Sequence, residues 1–227
     1  MKTIIIAITL LLTLQILEAS QADSRLVAAV MDGNLREVQN LAGNGMEINA
    51  YDHLGGYTLL SIACAKGYRE VIKFLLKSGA DPNLRDSEGN SPLFFAIRND
   101  RMQVVRQLIE GGADPEISDR RQVTPLMCAI FEDRDEIAEY LICRGVNLDA
   151  RNSLGATALM YAAASGNQKI VELLLDKGAD RNLLDQNGCN AVAVARESGH
   201  GRIANLINEI KPENRKKKVY TVSPSII

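Results

Sequence analysis

The side chains that most often carry out chemistry are scarce in this chain of 227 residues. Its only two histidines are His53 and His200, and His53 has no second ligand at the short spacing of a zinc site. The stretch that starts at Asp81 begins like a calcium-binding loop, but Arg85 stands where such a loop needs a ligand oxygen. The sequence therefore predicts no metal and no cofactor.

Pairs of acidic residues are the next candidates for chemistry. Glu132 and Asp133 lie next to each other, and Asp135 and Glu136 follow almost directly. These pairs fall at a turn and at the start of a predicted helix, where acidic side chains stabilise the helix dipole. Because no insertion that could form a pocket accompanies them, acid–base catalysis is not expected. We predict that the chain is not an enzyme.

The elements that position these residues repeat along the chain. Equivalent segments begin 33 residues apart at Thr58, Ser91, Thr124, Thr157 and Asn190, with a weaker copy at Ser24. Threonine, serine and asparagine, which begin these segments, are favoured at helix N-caps. A second apolar stretch at helical spacing follows each segment, and a glycine then ends it. Each unit is thus predicted to be two short helices and a projecting loop, stable only when neighbouring units stack.

The 33-residue period and the T-P-L-x-x-A motif at Thr124 resemble the ankyrin-repeat family. The resemblance covers residues 23–210 and implies an all-α ankyrin solenoid of about six helix–turn–helix units with β-hairpin-like fingers. The family often has histidine at the fourth position of the motif, and a polar network that depends on it is expected to be missing here. That position holds Ser61, Phe94, Met127, Met160 and Ala193. His200 stands in a slot where the family often places histidine, which implies a structural role.

The chain is predicted to have three parts. Residues 1–22 have the pattern of a cleaved signal peptide, because a basic start, a short apolar run and small residues at Ser20 and Ala22 follow in order. The apolar run is shorter than the roughly 20 residues that a membrane-spanning helix needs. The repeat domain follows over residues 23–210, and residues 211–227 are predicted to form a basic, disordered tail. The predicted units lie near 23–51, 52–85, 86–118, 119–151, 152–184 and 185–210.

In the ankyrin family, the fingers and the exposed, concave face of the first helices usually bind partner proteins. Carried over to this chain, these places give ten candidate residues. They are Tyr57, Arg85, Arg98, Asn99, Arg120, Arg121, Phe131, Glu132, Arg151 and Leu154. Arginine and aromatic side chains commonly anchor interfaces, and the arginines favour a partner with an acidic surface.

The remaining partners are limited by charge and cysteine positions. A net charge of −2 does not indicate nucleic acid binding, and membrane contact is expected only through the signal peptide or, weakly, through the basic tail. The chain is expected to be monomeric. Cys64 and Cys128 fall on first helices two repeats apart, roughly 20 Å at about 10 Å per layer, which is too far for a disulfide. Cys143 and Cys189 also fall in non-adjacent units.

Two functions remain open. The first is a protein-binding module that is exported to the periplasm or secreted. The second is an accessory to an exported or cofactor-dependent enzyme pathway, such as the protection against oxidants that is implied by a resemblance to small exported bacterial ankyrin-repeat proteins. A coloured or metal-bearing species that co-purifies would favour the second function, and a single apoprotein recovered in a pull-down would favour the first.

Overall fold

The computed structural model of the chain describes residues 24–43, 47–52 and 56–210. The predicted signal peptide at 1–22, the tail at 211–227 and His53 lie outside these residues. The described helices are α1 (24–31), α2 (Leu35–Ala42), α3 (Leu59–Lys66), α4 (Arg69–Lys77), α5 (Pro92–Arg98), α6 (Met102–Glu110), α7 (Pro125–Phe131), α8 (Asp135–Cys143), α9 (Ala158–Ser165), α10 (Gln168–Asp176), α11 (Ala191–Glu197) and α12 (Gly201–Glu209). None of the helices in these ranges has the length and apolar character needed to span a membrane.

The first helix of each repeat begins where the sequence predicts. The side-chain oxygens of Thr58, Thr124, Thr157 and Asn190 accept hydrogen bonds from the backbone N–H three residues further on, which is the N-cap arrangement. Ser91 holds the same position at α5, but its buried Oγ has no hydrogen-bond partner. Four of these five predicted caps are therefore confirmed in full, and Ser91 caps α5 by position alone.

The turn between the two helices of a repeat requires a left-handed residue. Gly67 has a φ of +81°, and a Cβ atom at this position would lie 3.1 Å from the Arg101 side chain of the next repeat. Asp100 and Asp133 occupy the equivalent position in the following repeats with φ angles of +53° and +55°. Both aspartates therefore hold a left-handed backbone, at an energetic cost that glycine would avoid.

The helices form two compact units, one that ends at Ile137 and one that begins at Ala138. In the first unit α3 packs against α4 and α5, α5 packs against α6 and α7, and α2 packs against α4. In the second unit α9 packs against α10 and α11, and α12 packs against α10 and α11. Within each unit, a helix thus contacts its partner in the same repeat and its equivalent in the next, as in other repeat proteins. The all-α repeat fold is confirmed.

Apolar packing replaces the polar network expected around the family's histidine. Phe94, Met127 and Met160 stand at the histidine position and are buried. Ser61 is the exception, because its Oγ lies 2.9 Å from Oγ1 of the helix cap Thr58. Burying apolar surface stabilises the folded chain by about 25 cal/mol per Å². These three repeats therefore gain stability from apolar burial at a position where the family usually has polar bonds.

Candidate functional site

Four of the fingers within the described ranges share one hydrogen-bond frame. An Asp or Asn at the base accepts the backbone N–H groups two and four residues further on, with N···O distances of 2.8–2.9 Å. The N–H of the base residue donates to the carbonyl four residues later. The base residues are Asp86, Asp119, Asn152 and Asp185. Because the side chain bonds its own backbone, each finger is a narrow, fixed hairpin that forms without a regular β-strand.

A second set of side-chain bonds joins successive repeats at the loops before the fingers. In each case a side-chain oxygen accepts the N–H at the start of the next repeat's loop. The pairs are Asn49 with Asp81 at 2.9 Å, Asn83 with Asp114 at 2.8 Å, and, in the second unit, Asp149 with Asp180 at 2.8 Å. The Asp81 carboxylate, which opens the calcium-like stretch, accepts the N–H of Asn83. No cluster of potential metal ligands is found within the described ranges.

Phe95 links two of the predicted binding residues on the first-helix face. The Tyr57 ring meets the Phe95 ring edge-on, with 5.4 Å between centroids and an angle of 85° between planes. The side-chain amide of Asn99 donates to the Phe95 carbonyl at 2.9 Å. Sequence reasoning missed Phe95, because the equivalent residue in another repeat is Ile62 and the position shows no consistent residue type. Its half-buried ring restrains Tyr57, which is 39% exposed.

Arg98 is held in place by its neighbours. Its guanidinium donates to Oδ1 of Asn90 at 3.1 Å and lies over the Phe94 ring, 5.7 Å from the centroid. Burial raises the pKa of the nearby Cys128 thiol to about 11, and the Arg98 guanidinium opposes that shift through its charge and a hydrogen bond. The Arg98 side chain is therefore exposed, but its guanidinium already bonds Asn90 and packs on the Phe94 ring.

Phe131, the last residue of α7, is the most exposed large apolar side chain within the described ranges, at 70%. Glu132 follows it at the C-cap of α7, is half-buried, and donates its N–H to the Cys128 carbonyl at 3.0 Å. An exposed aromatic ring at a helix end loses little freedom when a partner covers it, which is typical of an interface anchor.

The four predicted finger arginines divide into two kinds. Arg85 and Arg151 donate Nε–H to the carbonyls of Gly89 and Gly155, four residues further on, at 2.9 and 3.2 Å. Arg120 and Arg121 sit at a finger tip and are exposed. In the described part of the chain, their guanidinium groups form no hydrogen bond or ion pair, whereas their backbone N–H groups are bonded.

Leu154 lies at a finger tip of the second unit and is 65% exposed. Its carbonyl accepts the N–H of Gln186 on the next finger at 2.9 Å. Two further bonds join this part of the two repeats. Nη2 of Arg151 donates to the Leu184 carbonyl at 2.5 Å, and the side-chain amide of Gln186 donates to the Ser153 carbonyl at 2.7 Å. Leu184 is 50% exposed, so two apolar side chains stand on fingers that are bonded to each other.

The four cysteines are present as free thiols. Cys64 and Cys128 are buried on α3 and α7, Cys143 is exposed at the end of α8, and Cys189 is half-buried on a finger. Burial raises the pKa of the Cys64 thiol. Desolvation and the neighbouring carboxylates of Glu197 and Asp185 also raise the pKa of Cys189, so none of these three thiols is activated as a nucleophile.

Comparison with known proteins agrees with this architecture. The chain is 34% identical over 85 residues to ankyrin repeat domain-containing protein 40 of Homo sapiens, which covers 37% of this chain and 23% of that protein. It is 38% identical over 64 residues to protein phosphatase 1 regulatory subunit 27 of Homo sapiens, which covers 28% of this chain and 41% of that protein. The chain thus spans less than half the length of these curated relatives.

A solved structure matches over a larger share. It is one chain of a complex described as the Bd0816 predatory endopeptidase from Bdellovibrio bacteriovorus with immunity protein Bd3460. The TM-score is 0.73, the identity is 31%, and the match covers 82% of this chain and 98% of that chain. The family model for ankyrin repeats (three copies) matches residues 7–86, 78–152 and 126–216. The chain belongs to the ankyrin-repeat family, whose repeats are protein–protein interaction modules.

Proposed function

We propose that this chain is an exported, non-enzymatic protein that binds an endopeptidase and restrains its activity, as an immunity protein does. The observation that carries the proposal is the match at 31% identity to 98% of a chain from an endopeptidase–immunity protein complex. We infer that the matched chain is the immunity protein, because a stack of helix pairs with fixed fingers is a binding scaffold.

The binding surface that we propose lies on the first unit, on the exposed face of the first helices and on the adjoining fingers. Tyr57 and Phe131 supply apolar contact area, and Asn99 supplies polar contacts beside them. Phe95 already restrains the Tyr57 ring, so binding costs little side-chain entropy there. Arg98 adds positive charge, which suits a partner with an acidic surface. We propose that the chain binds this partner as a monomer.

Export is the second part of the proposal. The apolar run and the small residues that end at Ala22 support removal of residues 1–22 and a periplasmic or secreted location. The intact mass of the protein recovered outside the cytoplasm tests this directly, and we expect a mature chain that begins at Asp23. A chain that still begins at Met1 would refute cleavage at this site.

The partner is tested by capture followed by an activity measurement. Mature chain immobilised on a resin is exposed to the periplasmic fraction of the source cells, and the bound protein is identified by mass spectrometry. We expect one endopeptidase, whose peptide-bond hydrolysis falls in proportion to the amount of chain added. A partner of another class, or an endopeptidase whose activity does not change, would refute the proposal. Capture of a coloured or metal-bearing protein would support the alternative role as an accessory to a cofactor-dependent enzyme.

Phe131→Ala tests the surface. We expect dissociation from the partner to become at least about 30-fold faster, because losing an aromatic anchor costs at least about 2 kcal/mol. Met31→Ala is a matched control, since Met31 ends α1, is 50% exposed, and lies in the same unit. Truncation after Ile210 should leave binding intact. If truncation abolishes binding while Phe131→Ala does not, the basic tail is the binding element.

A further inference from the structure

The fingers share a backbone frame but differ in how their tips are held. Two of them, 86–90 and 152–156, are here called the clamped fingers. In each, the arginine just before the finger bonds the carbonyl of the finger's glycine, as Arg85 does with Gly89 and Arg151 with Gly155. A Cβ atom on either glycine would lie 2.7 Å from the guanidinium of its arginine. The clamp therefore requires both the arginine and the glycine.

The finger at 119–123 lacks both parts of the clamp and is here called the arginine finger. Ser118 stands where the clamped fingers have arginine, and Gln122 stands where they have glycine. Gln122 keeps the left-handed backbone, with a φ of +60°, which is strained for a residue with a side chain. The frame from Asp119 is complete, with two N–H groups held at 2.8 Å, so the tip is fixed without the clamp.

The tip residues of the arginine finger are also different in charge. Arg120 and Arg121 are both exposed, and their guanidinium groups are unbonded within the described ranges. The tips of the clamped fingers hold Ser87 and Glu88 or Ser153 and Leu154. The Arg120 N–H donates to the Glu88 carbonyl at 3.0 Å, which ties the arginine finger to its neighbour in the first unit. Two positive charges thus stand on a fixed support.

We propose that the arginine finger selects the partner by binding carboxylate groups on its surface through Arg120 and Arg121. This inference rests on the proposed function, since it needs a protein partner. A guanidinium matches the two oxygens of a carboxylate with parallel hydrogen bonds. We do not assign this role to Arg85 and Arg151, because their Nε groups donate to glycine carbonyls of their own fingers.

The test is a double charge reversal, Arg120→Glu with Arg121→Glu, in the mature full chain. The probe is the partner protein captured by the wild-type chain, and association and dissociation are followed by surface plasmon resonance at 50 and 500 mM NaCl. We expect association at low salt to be at least tenfold slower and the difference to shrink at high salt, because steering between opposite charges is screened. Circular dichroism of the double variant should match that of the wild type, since neither side chain is bonded.

The matched control is Lys73→Glu with Lys77→Glu, which changes the net charge equally in the same unit. Both lysines are exposed on α4, a second helix. Equal association rates for the two double variants would overturn the assignment to the arginine finger and leave the proposed function standing. A wild-type chain that captures no protein would overturn both. If the wild type instead binds phosphatidylglycerol vesicles and the Arg120/Arg121 variant does not, the arginine finger binds a membrane and the assignment to a protein is wrong.

Discussion

Gly89→Ala is expected to lower the free energy of unfolding by about 2–5 kcal/mol, a large loss for the addition of a single methyl group. Gly89 has a φ of +86°, and a left-handed backbone costs an alanine about 1–2 kcal/mol. The new Cβ atom would lie 2.7 Å from the Arg120 backbone nitrogen and 2.7 Å from the Arg85 guanidinium. Both neighbours must move, and each loses a hydrogen bond worth about 0.5–1.5 kcal/mol.

The control for this substitution is Gly112→Ala. Gly112 has a similar φ of +94°, but no atom lies within 4 Å of its added Cβ. Only the backbone term of about 1–2 kcal/mol is then expected. Urea unfolding followed by far-ultraviolet circular dichroism gives both values. Equal losses in the two variants would refute the crowding described for Gly89. In an Arg85→Ala background the cost of Gly89→Ala should fall, because one of its two obstacles is gone.

Three further predictions concern the core, a cap and the thiols. Ser91→Ala should change the free energy of unfolding by no more than about 0.5 kcal/mol, because its buried Oγ has no partner. Thr124→Ala should lower it by about 1 kcal/mol through loss of the helix cap. Equal costs of the two substitutions in urea unfolding would contradict this. Leu108→Ala should lower the free energy of unfolding by about 2–5 kcal/mol, since Leu108 is fully buried. Hydrogen exchange should show that neighbouring repeats loosen first. Uniform loss of protection along the chain would contradict local coupling. Burial raises the pKa of Cys128 from 9.0 to about 11. At pH 8 iodoacetamide should therefore modify exposed Cys143 and spare Cys128, and equal labelling of both thiols in the folded chain would contradict the burial. The stability that Cys128 contributes should be lost as the pH rises from about 9 towards 11.

The helices, caps and turns could be predicted because each depends on a few neighbouring residues. Thr124 caps its helix through a bond three residues away, and Asp100 takes the left-handed turn that its place in the repeat requires. Ser91 shows the limit of this reasoning. The residue type favours a cap, but a serine hydroxyl can rotate away, and only the structure shows that its Oγ makes no bond.

The arginines could not be sorted from the sequence. Arg85 and Arg121 are both exposed, and composition gives no sign that one guanidinium folds back on its own finger. The signal that could have separated them is spacing, because the arginine of a clamp is followed four residues later by glycine, as in Arg85 with Gly89. Phe95 was missed for another reason, since its role depends on the Tyr57 ring 5.4 Å away, and no local pattern shows this contact.

The bonds that join successive loops give the repeat array a direction. The side chain lies upstream and the backbone groups that it bonds lie downstream. Oδ1 of Asn49 accepts the Asp81 N–H while its amide donates to the Gly79 carbonyl. Asn83 bonds the Asp114 N–H and the Gly112 carbonyl in the same way. Loss of an upstream repeat would leave a backbone N–H without its acceptor, whereas loss of a downstream repeat leaves a side chain that water can solvate. Duplication of one whole repeat adds one acceptor and one donor together. Gene duplication can therefore change the number of fingers while the hydrogen bonds inside the array stay balanced.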